Sequence, residues 1–93
     1  DIVWTSGASE AAGTVFHHAA ARAGADAEVW VSAIEHPCVI ESARHHFGAR
    51  VRTIPVTPGG VVEVDWISEQ LARCRPALVA LMAANNETGV LQP

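Results

Sequence analysis

The sequence contains no lysine, and all six of its basic residues are arginines. Chemistry that needs a lysine amine therefore cannot be carried out by this chain alone. The two cysteines, Cys38 and Cys74, are too few for a disulfide framework and do not form a CxxC pair. We therefore expect reduced thiols and a cytoplasmic location.

Long apolar runs and excess positive charge are also missing. No apolar run approaches the ~18 residues that a membrane-spanning helix requires. The net charge of −4 indicates no basic surface for nucleic acid or anionic lipid. The first residues, from Asp1 to Trp4, have neither the basic region nor the apolar segment of a secretory signal. Nucleic-acid binding, membrane insertion and export are therefore not expected.

Apolar residues make up 49% of the 93 residues, which fits one small domain with a packed core. Short apolar runs alternate with segments of helical periodicity. The predicted strands cover residues 2–5, 28–32, 51–56 and 77–84, and the predicted helices cover residues 10–23, 37–47 and 66–75. This alternation is typical of βαβ units, so we predict an α/β fold with a largely parallel sheet.

Several residues predict where these elements begin, end and pack. Pro37 suits the first position of a helix, and Gly48 is expected to end that helix. Asp65 is predicted to cap the third helix. The run ALVALMAA at residues 77–84 is typical of a strand covered on both faces. The residues expected in the core include Trp4, Trp30, Trp66, Ile67, Leu71 and Cys74.

Polar clusters follow three of the predicted strands, at the edge where open α/β sheets bind ligands. Residues 5–9 form a turn of small and hydroxyl residues, which suits either a phosphate or an ordinary helix cap. His36 could stack on a planar ligand or transfer protons, or it could cap a helix. The amides of Asn85 and Asn86 suit a polar ligand, although Asn and Gly89 also suit a plain turn.

The remaining histidines and cysteines favour structural roles. His17 and His18 are adjacent, as are His45 and His46, and neighbouring residues on a helix do not face each other. No metal site is therefore predicted. Cys38 follows His36 closely, but a buried structural thiol is the favoured interpretation.

Three segments carry a family resemblance. SGASE (residues 6–10), EHPCVIE (35–41) and NNETG (85–89), in this order and spacing, resemble those of the cysteine desulfurases, in the class V aminotransferase group. These enzymes use pyridoxal 5'-phosphate (PLP) to take sulfur from L-cysteine, release L-alanine and supply iron–sulfur cluster or thio-cofactor synthesis. The resemblance covers essentially the whole chain. It implies a three-layer α/β/α fold in which residues 1–93 are a single segment of the large PLP-binding domain.

The resemblance also implies roles for individual residues. The N–H groups of Ala8 and Ser9 and the Ser9 hydroxyl would hold the PLP phosphate. His36 would stack on the pyridine ring and act in acid–base steps. Asn86 would hydrogen-bond the phenolic oxygen of the cofactor.

This sequence departs from the family pattern in three places. Ser9 stands where the family commonly has threonine, and the change keeps the hydroxyl. Gly13 stands where many members have asparagine, which weakens the helix slightly. Ala83 and Ala84 precede the asparagine pair where a histidine is frequent, which alters the polarity of the site.

Other groups that the family reaction needs are not found within residues 1–93. They are the aspartate that pairs with the pyridine nitrogen, the Schiff-base lysine and the cysteine that accepts sulfur, and neither Cys38 nor Cys74 matches that cysteine. We therefore expect this chain alone to be inactive. The complete enzyme is expected to be a homodimer that passes sulfur to an acceptor protein.

Two further interpretations stay open. A selenocysteine lyase or an aminotransferase of class V shares the same PLP framework. A stand-alone, non-catalytic α/β module that binds a phosphate ligand or a partner would fit the absence of lysine. The missing initiator methionine and the uncovered apolar surface of a four-stranded sheet favour part of a larger domain instead.

Overall fold

The computed structural model describes residues 7–84 and 89–93. Its helices are α1 (Ala8–Arg22), α2 (Pro37–Phe47) and α3 (Val64–Leu71), and its strands are β1 (Val29–Ser32), β2 (Val51–Ile54) and β3 (Leu78–Ala80). A 3₁₀ turn at Gly48–Arg50 joins α2 to β2. Within the described ranges, no helix combines the length and apolar character needed to cross a membrane. The predicted strand at residues 2–5, with Trp4, lies outside the described residues.

The three described strands form one parallel sheet in the order β2-β1-β3. Val29 at the start of β1 pairs with Val51 on one side and with Leu78 on the other. The α2 connection leads from β1 to its neighbour β2, and the connection through α3 crosses back to β3 on the opposite side of β1. The predicted α/β fold with a parallel sheet is confirmed.

Side-chain alternation along β1 divides the core between two faces of the sheet. Val29 and Val31 pack with Phe16 of α1 and Phe47 of α2. Trp30, between them, packs with a second cluster on the opposite face. That cluster contains Ile54, Val62, Trp66, Ile67 and Cys74. The helices therefore cover both faces in three α/β/α layers, and truncation of the fully buried Trp30 to alanine is expected to cost about 3–5 kcal/mol.

The ends of α2 are those that the sequence predicts. Pro37 is the first helical residue, where its missing N–H costs no helical hydrogen bond. Gly48 follows the last helical residue with a φ of +56°, a conformation that favours glycine. Its N–H donates to the carbonyl of Arg44, which ends the helix.

The predictions for α3 were partly wrong. Glu63 is the N-cap residue, and Asp65 lies inside the first turn, where its charge still complements the positive end of the helix. Leu71, predicted to face the core, is 49% exposed, whereas Trp66 and Ile67 are packed inward. A helix of eight residues makes only about two turns. Its apolar periodicity therefore does not determine which of its apolar residues are buried.

The prediction that residues 77–84 form the strand covered on both faces was also wrong. The strand β3 has only three residues and pairs with β1 along one edge. Val79 is 38% exposed, whereas all four residues of β1 are buried. Among the three described strands, the central position between two helical layers belongs to β1. Apolar content alone does not determine the order of strands in a sheet.

Glu28, next to β1, contacts β1, β2 and the segment that follows α3 through its carboxylate. Its Oε1 accepts hydrogen bonds from Trp30 Nε1 at 3.2 Å and from Cys74 Sγ at 3.5 Å, and it lies 3.6 Å from Arg52 Nη1. The hydrogen bond from Trp30 contributes most to holding the pKa of Glu28 below its usual 4.5, Cys74 and Arg52 add to this, and burial opposes it. The indole N–H of a buried tryptophan thus has a charged acceptor.

We expect Glu28 to make stability depend on pH in the acid range. Because its pKa is lower in the folded protein, ionised Glu28 stabilises the fold fully above its usual pKa of 4.5, and this contribution disappears as the pH falls through the lower folded value. Glu28→Gln keeps the acceptor oxygen and removes the charge. The thermal-unfolding midpoints of wild type and variant should therefore differ at neutral pH and converge in acid. Glu69→Gln, at an exposed position on α3, is the control, and a gap that stays constant into acid would contradict the assignment.

We expect the Cys74 thiol to react slowly with alkylating reagents. Burial raises its pKa above the usual 9.0, and the hydrogen bond and charge of Glu28 raise it further, against a smaller opposing effect of Arg52. A higher pKa leaves less of the reactive thiolate. In a Cys38→Ser background, the pH–rate profile of iodoacetamide alkylation should shift to lower pH when Glu28→Gln is added. An unchanged midpoint would show that Glu28 does not control this thiol.

Candidate functional site

The topology creates a crevice between β1 and β3. From β1 the chain moves to β2 on one side, and it later returns to β3 on the other side. The direction in which successive strands are added therefore reverses at β1, and open α/β sheets bind ligands at the carboxyl ends of their strands near such a reversal. The described residues at this edge are those just after Ser32 and those just after Ala80.

A cavity of about 540 Å³ lies between α1 and β3 and reaches the turn that follows β1. Its walls come from the first half of α1, the turn between β1 and α2, and the chain from Leu78 to Met82. The lining is mostly apolar, with three polar or titratable side chains, Glu35, His36 and Cys38. The size and the few polar groups are typical of small-molecule sites.

The first turn of α1 reaches this cavity. Gly7 is the N-cap residue in an extended conformation, and Ala8 and Ser9 are the first two helical residues. N–H groups in the first turn of a helix have no acceptor within the helix and carry the positive end of its dipole, which favours anions. Ala8 lines the cavity, whereas Ser9 is exposed beside it and is not part of its lining.

His36 lines the same cavity as Ala8 and also caps α2. Its Nδ1 accepts a hydrogen bond from the N–H of Cys38 at 3.1 Å. A neutral imidazole that accepts at Nδ1 carries its hydrogen on Nε2, so the second nitrogen is a donor. The capping role therefore orients the ring and occupies only one of its two nitrogens.

Asn86 lies outside the described residues, so its role stays a prediction. The chain on either side of residues 85–88 is paired, because Ala84 and Leu91 form an antiparallel bridge. Gln92 N–H also donates to the carbonyl of Ala83 at 2.9 Å. Gly89 has a φ of +72°, which confirms the prediction that this glycine permits a turn of positive φ.

Sequence reasoning gave no role to Glu35, which is only 9% exposed. Its Oε1 accepts from the Ser32 hydroxyl at 2.7 Å and from the backbone N–H of Met82. The carboxylate thus joins the end of β1 to the chain after β3. A signal existed in the sequence, because an acidic residue rarely follows a buried strand so closely without a partner.

His17, His45 and His46 come together where α1 meets α2, outside the cavity lining. The rings of His17 and His46 are 5.6 Å apart, and those of His45 and His46 are 4.8 Å apart. Burial lowers the pKa of His46, and the neighbouring His45 and His17 lower it further. Within residues 7–84 and 89–93, no group of three His, Cys, Asp or Glu residues is arranged to hold a metal ion.

Proteins of known sequence resemble this chain over its whole length. It is 40% identical over 96 residues to "Cysteine desulfurase IscS 1" of Archaeoglobus fulgidus and 35% identical over 98 residues to "Cysteine desulfurase, mitochondrial" of Arthroderma benhamiae. All of this chain is matched in both, but only 25% and 19% of those relatives. The chain thus spans about a quarter or less of the length of these curated relatives.

A solved structure and a family model agree with these relatives. The X-ray structure of a NifS-like protein from Rickettsia africae ESF-5 superimposes with a TM-score of 0.63 at 30% identity, covering 86% of this chain and 22% of that chain. The model of the family described as Aminotransferase class-V matches residues 1–93. With the whole chain matched, this protein belongs to the class-V aminotransferase family.

Proposed function

We propose that this chain forms part of a PLP-dependent cysteine desulfurase. The observation that carries the proposal is that Ala8 and His36, 28 positions apart in sequence, line one cavity at the carboxyl edge of the sheet. The names of the relatives supply the reaction. In that reaction the C–S bond of L-cysteine breaks, the sulfur joins a thiol as a persulfide, and the carbon takes up a proton to give L-alanine.

The residues at this edge fit the two recognisable parts of PLP. The phosphate needs N–H donors and positive potential, which the first turn of the 15-residue helix α1 supplies. The pyridine ring needs a flat neighbour in a largely apolar space, which His36 and the cavity walls supply. PLP, when bound, provides an electron sink for bonds broken at the substrate carbon atoms.

The role proposed for α1 is to bind and orient the anionic end of the cofactor. The N–H groups of Ala8 and Ser9 donate to phosphate oxygens, and the Ser9 hydroxyl adds a third donor. Each hydrogen bond to a charged group contributes about 1.5–3 kcal/mol. Since Ala8 and Ser9 lie in a regular helix, these donors are positioned before the ligand arrives.

The role proposed for His36 is to hold the ring and to move a proton at Nε2. The hydrogen bond between Nδ1 and Cys38 N–H fixes the imidazole and leaves Nε2 for the proton transfer. Imidazole suits this task because its ring nitrogens can both donate and accept a hydrogen. Asn86 is proposed to donate to the phenolic oxygen.

The complete enzyme must supply further groups. The chain has no lysine for the covalent bond to the cofactor, and neither Cys38 nor Cys74 is proposed as the sulfur acceptor. We propose that the complete enzyme is a cytoplasmic homodimer that passes sulfur to an acceptor protein for iron–sulfur cluster or thio-cofactor synthesis. The family resemblance supports this extension.

Purified full-length protein with PLP tests the proposed reaction directly. L-cysteine and a thiol reductant should give sulfide and L-alanine in equal amounts. L-selenocysteine and pairs of amino and keto acids are the comparison substrates. Faster turnover of selenocysteine, or amino-group transfer without sulfide release, would replace cysteine desulfuration by one of those reactions.

Ser9→Ala should weaken PLP binding in the full-length protein. The change removes one hydroxyl donor to a charged group, which corresponds to roughly a ten- to hundredfold rise in the dissociation constant of PLP. Alanine is also the better helix former, so α1 itself should remain intact. Ser68→Ala, at an exposed position on α3, is the matched control. Unchanged PLP affinity in Ser9→Ala would contradict a phosphate contact of this hydroxyl.

Two substitutions separate the proposed functions of His36. His36→Asn keeps a side chain that caps helices well, whereas His36→Ala removes both cap and imidazole. Turnover should therefore fall strongly in both variants with PLP still bound. The unfolding midpoint should fall mainly in His36→Ala, because loss of a cap costs about 0.5–2 kcal/mol. Normal turnover in His36→Asn would restrict His36 to the helix cap.

A further inference from the structure

We propose that Glu35 is a positioning residue that ties the turn carrying His36 to the chain leaving β3. Glu35 immediately precedes His36, and both line the cavity. The inference rests on the proposed function for the task of His36. We call the hydrogen bonds from the Ser32 hydroxyl and the Met82 N–H to the Glu35 carboxylate the tie, and these bonds are observed independently of the proposed function.

The first half of the tie lies at the end of β1. The Ser32 hydroxyl, in a side chain that is 1% exposed, donates to Glu35 Oε1 at 2.7 Å. The N–H of Glu35 donates back to the carbonyl of Ser32 at 3.3 Å. Ala33, between them, donates its N–H to the carbonyl of Ile54 at 3.1 Å, which anchors the turn to β2.

The second half of the tie crosses to the chain after β3. The same Glu35 oxygen accepts from the backbone N–H of Met82, 47 residues further along the chain. The parallel pairing of β1 with β3 ends at Val31 and Ala80. The carboxylate therefore continues the connection beyond the last paired residues of the two strands.

The tie requires a hydrogen-bond acceptor on a side chain as long as glutamate at position 35. Glu35 is largely buried, so without its oxygen the Ser32 hydroxyl and the Met82 N–H would each lose a partner in a site of low polarity. His36 is held from two sides, through the backbone by Glu35 and through Nδ1 by Cys38. A shift of about 1 Å in a catalytic group can cost a hundredfold in rate, so this double restraint bears directly on turnover.

Hydrogen exchange in the full-length holoenzyme tests the tie. The amide of Met82 reports the hydrogen bond to Glu35, and the amide of Ala33 is an internal reference because its acceptor is Ile54. Loss of the charged acceptor in Glu35→Ala should speed exchange at Met82 about ten- to hundredfold, with little change at Ala33. Glu35→Gln retains an acceptor oxygen and should restore most of the protection. Glu41→Ala, at an exposed position on α2, is the control.

Kinetics and cofactor spectra test the consequence for His36. In Glu35→Ala, kcat should fall by about tenfold or more while PLP content stays at the wild-type level, and the circular dichroism of the bound cofactor should change. Glu35→Gln should recover most of kcat. Unchanged Met82 exchange in Glu35→Ala would overturn the tie. Equal acceleration of exchange at Met82 and Ala33 would also overturn the tie, because it would show that Glu35 only stabilises the fold as a whole.

The outcomes separate this inference from the proposed function. If wild-type protein releases no sulfide from L-cysteine, the proposed reaction fails, but the exchange of Met82 still reports on the tie. If wild-type protein is active and Glu35→Ala exchanges faster at Met82 with unchanged kcat and cofactor spectrum, the positioning role is wrong and the proposed reaction stands.

Discussion

Burial of β1 between two helical layers is the constraint on which the other features of this structure depend. Its four residues are all buried, and their side chains alternate between the valine face against α1 and α2 and the Trp30 face against α3. Because β1 is the central strand, both neighbours take their register from it. The position of the candidate site depends on this arrangement, because the turn that carries His36 begins at the end of β1, between the ends of β2 and β3.

Two kinds of interaction hold the chain in place where it leaves β1. Backbone pairing holds β1 against β3 as far as Val31 and Ala80, and beyond this point the Glu35 carboxylate takes over. The cap of α2 uses Nδ1 of His36, so one histidine both begins a helix and faces the cavity that the first turn of α1 also reaches. The cap observed at His36 and the function proposed for it therefore use the same side chain. Substitutions that separate them, such as asparagine at His36, are therefore the informative ones.

Local signals predicted the parts of the fold that depend on neighbours in sequence. Pro37 and Gly48 mark the ends of α2 correctly because proline geometry and positive φ are properties of single residues. The prediction for residues 77–84 failed because an apolar run indicates that a segment tends to be buried. It does not indicate which position in the sheet the segment occupies. The error at Asp65 is smaller, since an acidic residue is favourable both as a cap and in the first turn.

The sequence by itself determined the alternation of strands and helices, the position of His36 at a strand end, and the family to which the chain belongs. These depend on residue type and spacing along the chain. Only the tertiary structure decided that β1 is central, that Ala8 and His36 share a cavity, and that Glu35 bonds Met82 across 47 residues. The physical reason is that strand order brings together groups distant in sequence, and a buried carboxylate acquires its partners from that order.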